Sequence, residues 1–408
     1  MLALAIFTLT YLLIAVQRLP FLHLNRPAAA LLGAVAMVVA GVLPLDAAYR
    51  AIDLDVLVFL LGVMLLIGHL ESGGFFEWTA AWLLRRIRSR RQLLAAVVVG
   101  SGLLSAFFVN DTICLMLTPV LVAATATLGL RPAPYLIGLA MGANVGSLLA
   151  FTGNPQNMLI GLWSGIHFGR FMLTMLPVVA GALGITCAVL LLWYRGELAG
   201  ELVPPGRAEL PVVDRRLVGT ALLLFSGAVL GWLAGGSLPL VAIGAGTLML
   251  VLARRDPTEA LARIEWSLLL FFAALFVVMR GLESSGAVEH ISQLGIRFVG
   301  GRSSLETAAA VSGVMLALSN LISNVPAVLL WRNVMPALPE PGFVWTLLAM
   351  SATFAGNLLL IGSMANLIVA ERAEARGVRL GYWEYARVGV PVTLLTTAWG
   401  CVALAVLR

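Results

Sequence analysis

Long apolar stretches recur from one end of this chain to the other, and they constrain its fold more than any other feature. They cover residues 1–17, 27–45, 54–70, 93–109, 217–233, 238–253, 266–279 and 388–407. A helix that crosses a bilayer needs about 20 mostly apolar residues, somewhat fewer where flanking arginines reach back to the interface. Of all residues, 61% are hydrophobic and 11% are charged, against about 45–50% and about 25% in soluble domains. The sequence therefore predicts an all-α polytopic membrane protein with about ten or more spans.

The second half of the chain repeats motifs of the first half in the same order. DLDVLVFLLGVMLLIGHLESGGFFEW, which begins at Asp53, is echoed by EWSLLLFFAALFVVMRGLESSGAVEH, which begins at Glu265. FFVNDTICLMLTP is matched by LISNVPAVLLWRNVMP, so that Asn110 corresponds to Asn324. GANVGSLLAFTGNPQNMLIG is then matched by AGNLLLIGSMANLIV. Ordered matches at a nearly constant separation along the chain indicate an internal duplication.

The arginines predict how the two repeats are oriented. The run RRIRSRR at 85–91 places the loop after the third span in the cytoplasm, because cytoplasmic loops are enriched in basic residues. Counting spans from this loop puts the N-terminus outside and reverses the second repeat relative to the first. We therefore expect two inverted-topology repeats, 1–194 and 217–408, joined by a cytoplasmic linker at 195–216.

Polar and helix-breaking residues interrupt the apolar runs at matching places. Asn110-Asp111 lies in the middle of 93–125, and Ser323-Asn324-Val325-Pro326 lies within 306–336, so each range is predicted to form a re-entrant hairpin. TGNPQN at 152–157 and IGSMAN at 361–366 each predict a broken transmembrane helix. The second half of a broken helix begins with exposed N–H groups and the positive end of a dipole, which attract an anion.

The side chains at these break points are candidates for binding a substrate. An amide offers two donors and two acceptors, so it can ligate an oxyanion or a hydrated cation without carrying charge. The predicted substrate-binding residues are Asn110, Thr112, Asn154, Asn157, Ser323, Asn324, Ser363 and Asn366. The alternative is that these groups only satisfy the interrupted backbone and hold helices together, at about 1 kcal/mol each.

Asp111 is the candidate for coupling transport to an ion. Most other acids lie at span ends or in loops, whereas Asp111 lies at a predicted hairpin tip. A carboxylate inside the membrane is costly when charged, which makes it a candidate proton carrier or cation ligand, together with Asn110 and Asn324. The alternative is a helix cap, a position in which aspartate is favoured.

The sequence argues against other classes of protein. It has no His-Glu-x-x-His pair, no Gly-x-Ser-x-Gly elbow and no nucleotide-binding loop, so neither an enzyme nor a cofactor is expected, and a pump would need a separate ATPase subunit as partner. No metal site is expected, because the three cysteines are far apart. The net charge of +6 comes from arginines between spans and does not indicate nucleic acid. Arg280 and Arg332 are the arginines nearest the embedded segments, where each either attracts an anion or snorkels to the interface.

These motifs resemble the ion-transporter superfamily of citrate and dicarboxylate carriers, arsenite efflux permeases and a group of Na⁺/H⁺ antiporters. LESGGFFEW and NDTICLMLTP are similar to the arsenite-permease branch, while GSLLAFTGNPQNMLIG, ISNVP and GSMANLI resemble a bacterial anion-transporter branch. The resemblance covers essentially the whole chain. It implies that hairpin tips and broken helices of both repeats form one substrate site, that the hairpin domains move like an elevator against a scaffold, and that the scaffold forms a homodimer.

The chain departs from the dicarboxylate carriers of the superfamily that it resembles. Those carriers have Ser-Asn-Thr at both hairpin tips, where it binds Na⁺ and the carboxylates of the substrate. Here the tips are Asn110-Asp111-Thr112 and Ser323-Asn324-Val325, and valine has no hydroxyl group for Na⁺ or a carboxylate. We therefore expect a secondary active transporter in the inner (plasma) membrane that carries a small anion, an arsenite-type oxyanion, coupled to protons. The alternatives are a Na⁺/H⁺ antiporter and a Na⁺-coupled dicarboxylate, citrate or sulfate carrier.

Overall fold

The computed structural model describes residues 1–15, 25–202, 210–286, 303–338 and 340–408, and these form an all-helical protein. Helices α1 to α10 are Leu2–Ala15, Arg26–Val39, Leu45–Ala51, Leu54–Ser72, Phe75–Leu84, Arg90–Phe107, Asn110–Thr127, Ala133–Gly146, Pro155–Trp163 and Phe168–Trp193. Helices α11 to α19, numbered along the described residues, are Arg215–Leu233, Leu238–Ala253, Pro257–Ala262, Trp266–Glu283, Ser304–Ile322, Asn324–Arg332, Pro341–Ala355, Met364–Glu374 and Tyr382–Leu407. Residues 203–209 of the predicted linker lie outside the described residues.

The helices make this a multi-pass membrane protein. Among the described residues, 7 helices are long and apolar enough to cross a bilayer: α4, α7, α10, α11, α14, α15 and α19. Helices α1, α2, α12 and α17 are apolar but shorter. An apolar stretch in the sequence does not show where its helix ends. Helix α2, for example, has 14 residues, which at about 1.5 Å per residue is shorter than the hydrocarbon core of about 30 Å.

Four interruptions of the helical backbone fall where the polar motifs lie. Helix α6 ends at Phe107 and α7 begins at Asn110, while α15 and α16 are separated by Ser323 alone. Ser323 has a φ of 80°, which is strained for a residue other than glycine. The other two interruptions each contain a short 3₁₀ turn, Phe151–Gly153 between α8 and α9 and Leu360–Gly362 between α17 and α18.

Glycines set the distance between the helices that carry these interruptions. A Cβ atom added to Gly146 in α8 would overlap the backbone carbonyl of Gly102 in α6, so the two helices are in backbone contact. Close approach of this kind is how helices associate in membranes, where apolar side chains gain nothing by leaving lipid. Elsewhere α4 packs against α12, α14 packs against α2, and the 26-residue helices α10 and α19 pack against each other.

Candidate functional site

The interruptions from both halves of the chain meet around one cavity of about 230 Å³. Asn110 and Asp111 reach it from the start of α7, and Ser323 and Asn324 reach it from the α15–α16 junction. Ser363, directly before α18, is the fifth predicted residue that lines the cavity. Side chains more than two hundred positions apart in sequence are therefore brought to one place.

Asn144, near the end of α8, holds these interruptions together. Its Oδ1 accepts hydrogen bonds from Asn110 Nδ2 at 2.9 Å and from Ser363 Oγ at 3.1 Å. Its Nδ2 donates to the Oδ1 atoms of Asn357 at 2.9 Å and Asn366 at 3.0 Å. An amide has two donors and two acceptor positions, so Asn144 is fully used within the protein. It positions the cavity lining and has no group left for a ligand.

The predicted residues Asn154, Asn157 and Asn366 lie behind the cavity lining and bond to the interrupted backbone. Asn154 caps α9 by accepting from the backbone N–H of Asn157 at 2.9 Å. Asn157 Nδ2 donates to the carbonyl oxygen of Ser147 at 3.1 Å, and Asn366 Nδ2 donates to that of Gly356 at 2.6 Å. Through these bonds the three amides satisfy backbone groups that the interruptions leave without helical partners, which is the alternative role considered for them in the sequence analysis.

Several buried polar atoms near the interruptions have no hydrogen-bond partner within the described residues. Asn324 Oδ1 is one of them, and its residue lines the cavity. Asn157 Oδ1 is another, beside the Asn154 cap. A buried acceptor without a partner costs about 1–3 kcal/mol, so it favours a ligand, cation or water at that position. Asn157 therefore has a structural bond through Nδ2 and an acceptor still available through Oδ1.

Thr112 does not line the cavity, and three long polar side chains that the sequence analysis did not select do. Thr112 lies half-buried in the first turn of α7. The added residues are Arg26 at the start of α2, Gln156 in the first turn of α9 and Glu265 directly before α14. Gln156 lies inside the TGNPQN motif, which was a usable signal, whereas Arg26 and Glu265 resemble ordinary residues at span ends. The cavity thus combines two acids, Asp111 and Glu265, with one arginine.

Arg280 and Arg332 lie at a second cavity of about 520 Å³ near the C-terminal end of α14. Arg280 forms an ion pair with Glu283 at 3.0 Å. The guanidinium of Arg332 lies 4.2 Å from the ring centroid of Trp163 and 3.7 Å from the Asp53 carboxylate. Trp163 Nε1 also donates to Asp53 Oδ2 at 2.9 Å, so α16, α9 and the start of α4 are joined. Neither arginine lines the cavity between the interruptions.

Comparisons with known proteins find similarity over most of the chain. The sequence model of the citrate transporter family, CitMHS, matches residues 11–350. The silicon efflux transporter LSI3 of Oryza sativa subsp. japonica is 32% identical over 97% of this chain and 95% of that protein. The inner membrane protein YbiR of Escherichia coli K12 is 30% identical over 88% of this chain and 89% of that protein. In fold the chain resembles the YdaH transporter of Alcanivorax borkumensis, with a TM-score of 0.57 and 16% identity over 99% of this chain and 97% of that one.

Proposed function

This chain belongs to the citrate transporter family and is a secondary transporter, not an enzyme, and from that premise we propose that it moves a small oxyanion across the inner membrane, coupled to protons. The cargo is an arsenite-type hydroxide or its anion. The observation that carries the proposal is the cavity where Asn110-Asp111 and Ser323-Asn324 meet. Its amides and hydroxyls can donate to and accept from a small oxygen-rich solute.

The polar lining favours a compact hydroxide. Arsenite in water is a neutral hydroxide or its anion, and silicon, the cargo in the name of one relative, is also dissolved as a small hydroxide. Such solutes present hydroxyl groups on all sides, which amide and serine groups can bind without a dedicated positive charge. The cavity of about 230 Å³ is adequate for a solute of this size.

We assign substrate binding to Asn110, Ser323, Asn324 and Ser363, and keep Thr112, Asn154, Asn157 and Asn366 as residues that shape the site. Asp111 would carry the coupling proton, or a cation, with the amides of Asn110 and Asn324 beside it. Its carboxylate is buried in the cavity lining, where a charge is costly.

Two matching sets of contacts support the inverted repeats, 1–194 and 217–408 with the linker 195–216. Helix α4 packs on α12 as α14 packs on α2. The bond from Asn157 to the Ser147 carbonyl has its counterpart in the bond from Asn366 to the Gly356 carbonyl. In this arrangement 93–125 and 306–336 are re-entrant hairpins, and elevator-like movement of the hairpins would expose the cavity to each side in turn.

A second candidate is a Na⁺-coupled carrier of citrate or another dicarboxylate. It is favoured by the family to which the chain belongs and by Arg26 in the cavity lining, because a guanidinium pairs bidentately with a carboxylate. Val325, which also lines the cavity, disfavours it, since its side chain offers no oxygen ligand to Na⁺.

The test uses everted membrane vesicles with an imposed proton gradient and a panel of arsenite, antimonite, silicic acid, sulfate, succinate and citrate. We expect gradient-driven arsenite uptake by wild type and its loss in Asp111→Asn, while exchange without a gradient persists because the site remains. Asp256→Asn, an exposed cap of α13, is the matched control and should behave as wild type. Na⁺-driven citrate uptake that Asp111→Asn leaves intact would contradict the proposal and support the second candidate. A collapse of the proton gradient by Na⁺ without any anion would instead indicate a Na⁺/H⁺ antiporter.

A further inference from the structure

The arginine run at 85–91 joins α5 to α6 and forms an exposed basic surface. Arg85, Arg86, Arg88 and Arg91 are exposed, and none of the ion pairs found within the described residues includes them. Arg90 differs, because its Nη1 donates to the carbonyl oxygen of Glu197 at 3.2 Å. Basic residues in this loop are sufficient to orient the chain in the membrane. Orientation does not require an apolar crevice beside them.

An apolar crevice of about 250 Å³ lies between α5, α6 and α7. Its lining is formed by leucines, two alanines, Val97, Ile87, Gly100 and Trp82, with Thr79 and Ser101 as the polar exceptions. Both hydroxyls are already bonded to their own helices, Thr79 to the Phe75 carbonyl at 2.7 Å and Ser101 to the Val98 carbonyl at 3.2 Å. The crevice therefore offers water only the acceptor positions of two hydroxyls and suits a hydrocarbon occupant.

The crevice and the basic surface are continuous. Leu83, Leu84 and Ile87 line the crevice in the same segment that carries Arg85 and Arg86. Trp82 also lines it, stacks on Trp78 with ring centroids 6.3 Å apart, and has the Arg86 guanidinium 3.9 Å from its ring centroid. Paired tryptophans of this kind lie at the level of lipid headgroups.

The crevice is open to the surface that faces lipid. Leu103 lines it and is 60% exposed, and Trp82 is 36% exposed. An acyl chain from the surrounding leaflet can therefore enter beside α6 while its headgroup stays at the level of the tryptophans.

We propose that this is a binding site for one anionic phospholipid, with an acyl chain in the crevice and the phosphate on Arg85, Arg86 and Arg88. Clusters of basic residues next to a membrane helix attract anionic headgroups. Helix α5 packs against both α4 and α7, so the bound lipid lies where the first hairpin meets the helix that precedes it. The lipid would thereby stabilise this junction, and the inference does not depend on which solute is transported.

Thermal unfolding of the purified protein in detergent, titrated with phosphatidylglycerol or with phosphatidylcholine of the same acyl chains, tests the headgroup half of the proposal. We expect phosphatidylglycerol to raise the unfolding temperature at lower concentration than phosphatidylcholine. In the triple variant Arg85→Gln, Arg86→Gln, Arg88→Gln the affinity for phosphatidylglycerol should fall on the order of 100-fold, since each arginine contributes about fivefold. The control removes three other arginines, Arg376→Gln, Arg379→Gln and Arg387→Gln, and should leave the titration unchanged.

Ala96→Leu tests the crevice half, because Ala96 lines the crevice and a larger apolar side chain there fills it. We expect weaker stabilisation by phosphatidylglycerol with all arginines in place. Equal titrations of wild type and the arginine variant would overturn the proposal and leave the arginines with orientation alone. Loss in the arginine variant with no effect of Ala96→Leu would overturn the acyl-chain site. Should a variant fail to fold, wild type alone still decides, since no preference of its lipid titration for phosphatidylglycerol contradicts the proposal.

Discussion

Asn144 is the single residue on which the geometry of the candidate site depends most. Its amide bonds to Asn110, Ser363, Asn357 and Asn366, all of them buried. Removing it leaves several buried polar groups without partners, at about 1–3 kcal/mol for each group. Asn144→Ala should therefore lower the free energy of unfolding by about 3 kcal/mol or more. Thermal unfolding in detergent measures this loss.

The comparison variant is Asn25→Ala, an exposed N-cap of α2 that accepts from the Ala28 N–H at 3.0 Å. Its loss should cost only about 1 kcal/mol. Equal effects of the two substitutions would show that Asn144 does not hold the interruptions together.

The sequence predicts the cavity-lining residues at the α6–α7 and α15–α16 junctions and does not predict those that reach the cavity from other helices. Asn110, Asp111, Ser323 and Asn324 are recognisable because a polar pair inside an apolar run needs an explanation. Glu265 is not recognisable, because an acid directly before a span is ordinary and only the packing of α14 brings it to the cavity.

Glycines set the separation of helices α6 and α8 and thereby the position of the junction between α6 and α7. A Cβ on Gly146 would overlap the Gly102 carbonyl, and two backbones cannot yield as a flexible side chain can. We expect Gly146→Ala to lower the free energy of unfolding by about 3 kcal/mol or to prevent folding. Gel filtration and thermal unfolding of the purified protein measure both outcomes.

Gly184→Ala in α10 is the matched control, because a Cβ there meets no atom within 4 Å. Alanine favours a helix by about 1 kcal/mol over glycine, so this change should be neutral or stabilising. A Gly146→Ala protein as stable as Gly184→Ala would contradict the close approach of α6 and α8. The sequence does not predict this contact, because it does not distinguish a glycine that interrupts a helix from a glycine that lets two helices approach closely.

At the scale of the whole molecule, the sequence predicts the helical architecture better than it predicts the lengths of the helices. The apolar stretches and the echoed motifs predict the helical membrane architecture and the places where helices are interrupted. They do not show the helix lengths, because hydropathy does not reveal that α2 and α12 stop after 14 and 16 residues. Both sets of interruptions meet at one cavity because of tertiary packing. The sequence shows the repeated motifs but not how they pack against each other.

The central claim is that the cavity where the α6–α7 and α15–α16 junctions meet binds the cargo. Cargo counterflow in proteoliposomes tests it without any gradient. Asn324→Ala removes the buried acceptor that lacks a partner within the described residues. Asn333→Ala, nine residues later at the second cavity, removes a half-buried amide that donates to Glu283 Oε1 at 2.8 Å. A hydrogen bond between neutral groups contributes about 0.5–1.5 kcal/mol, or about 2- to 10-fold in affinity. The account predicts that Asn324→Ala weakens arsenite counterflow to that extent while Asn333→Ala leaves it intact. Unchanged counterflow in Asn324→Ala, or equal loss in both variants, would contradict it.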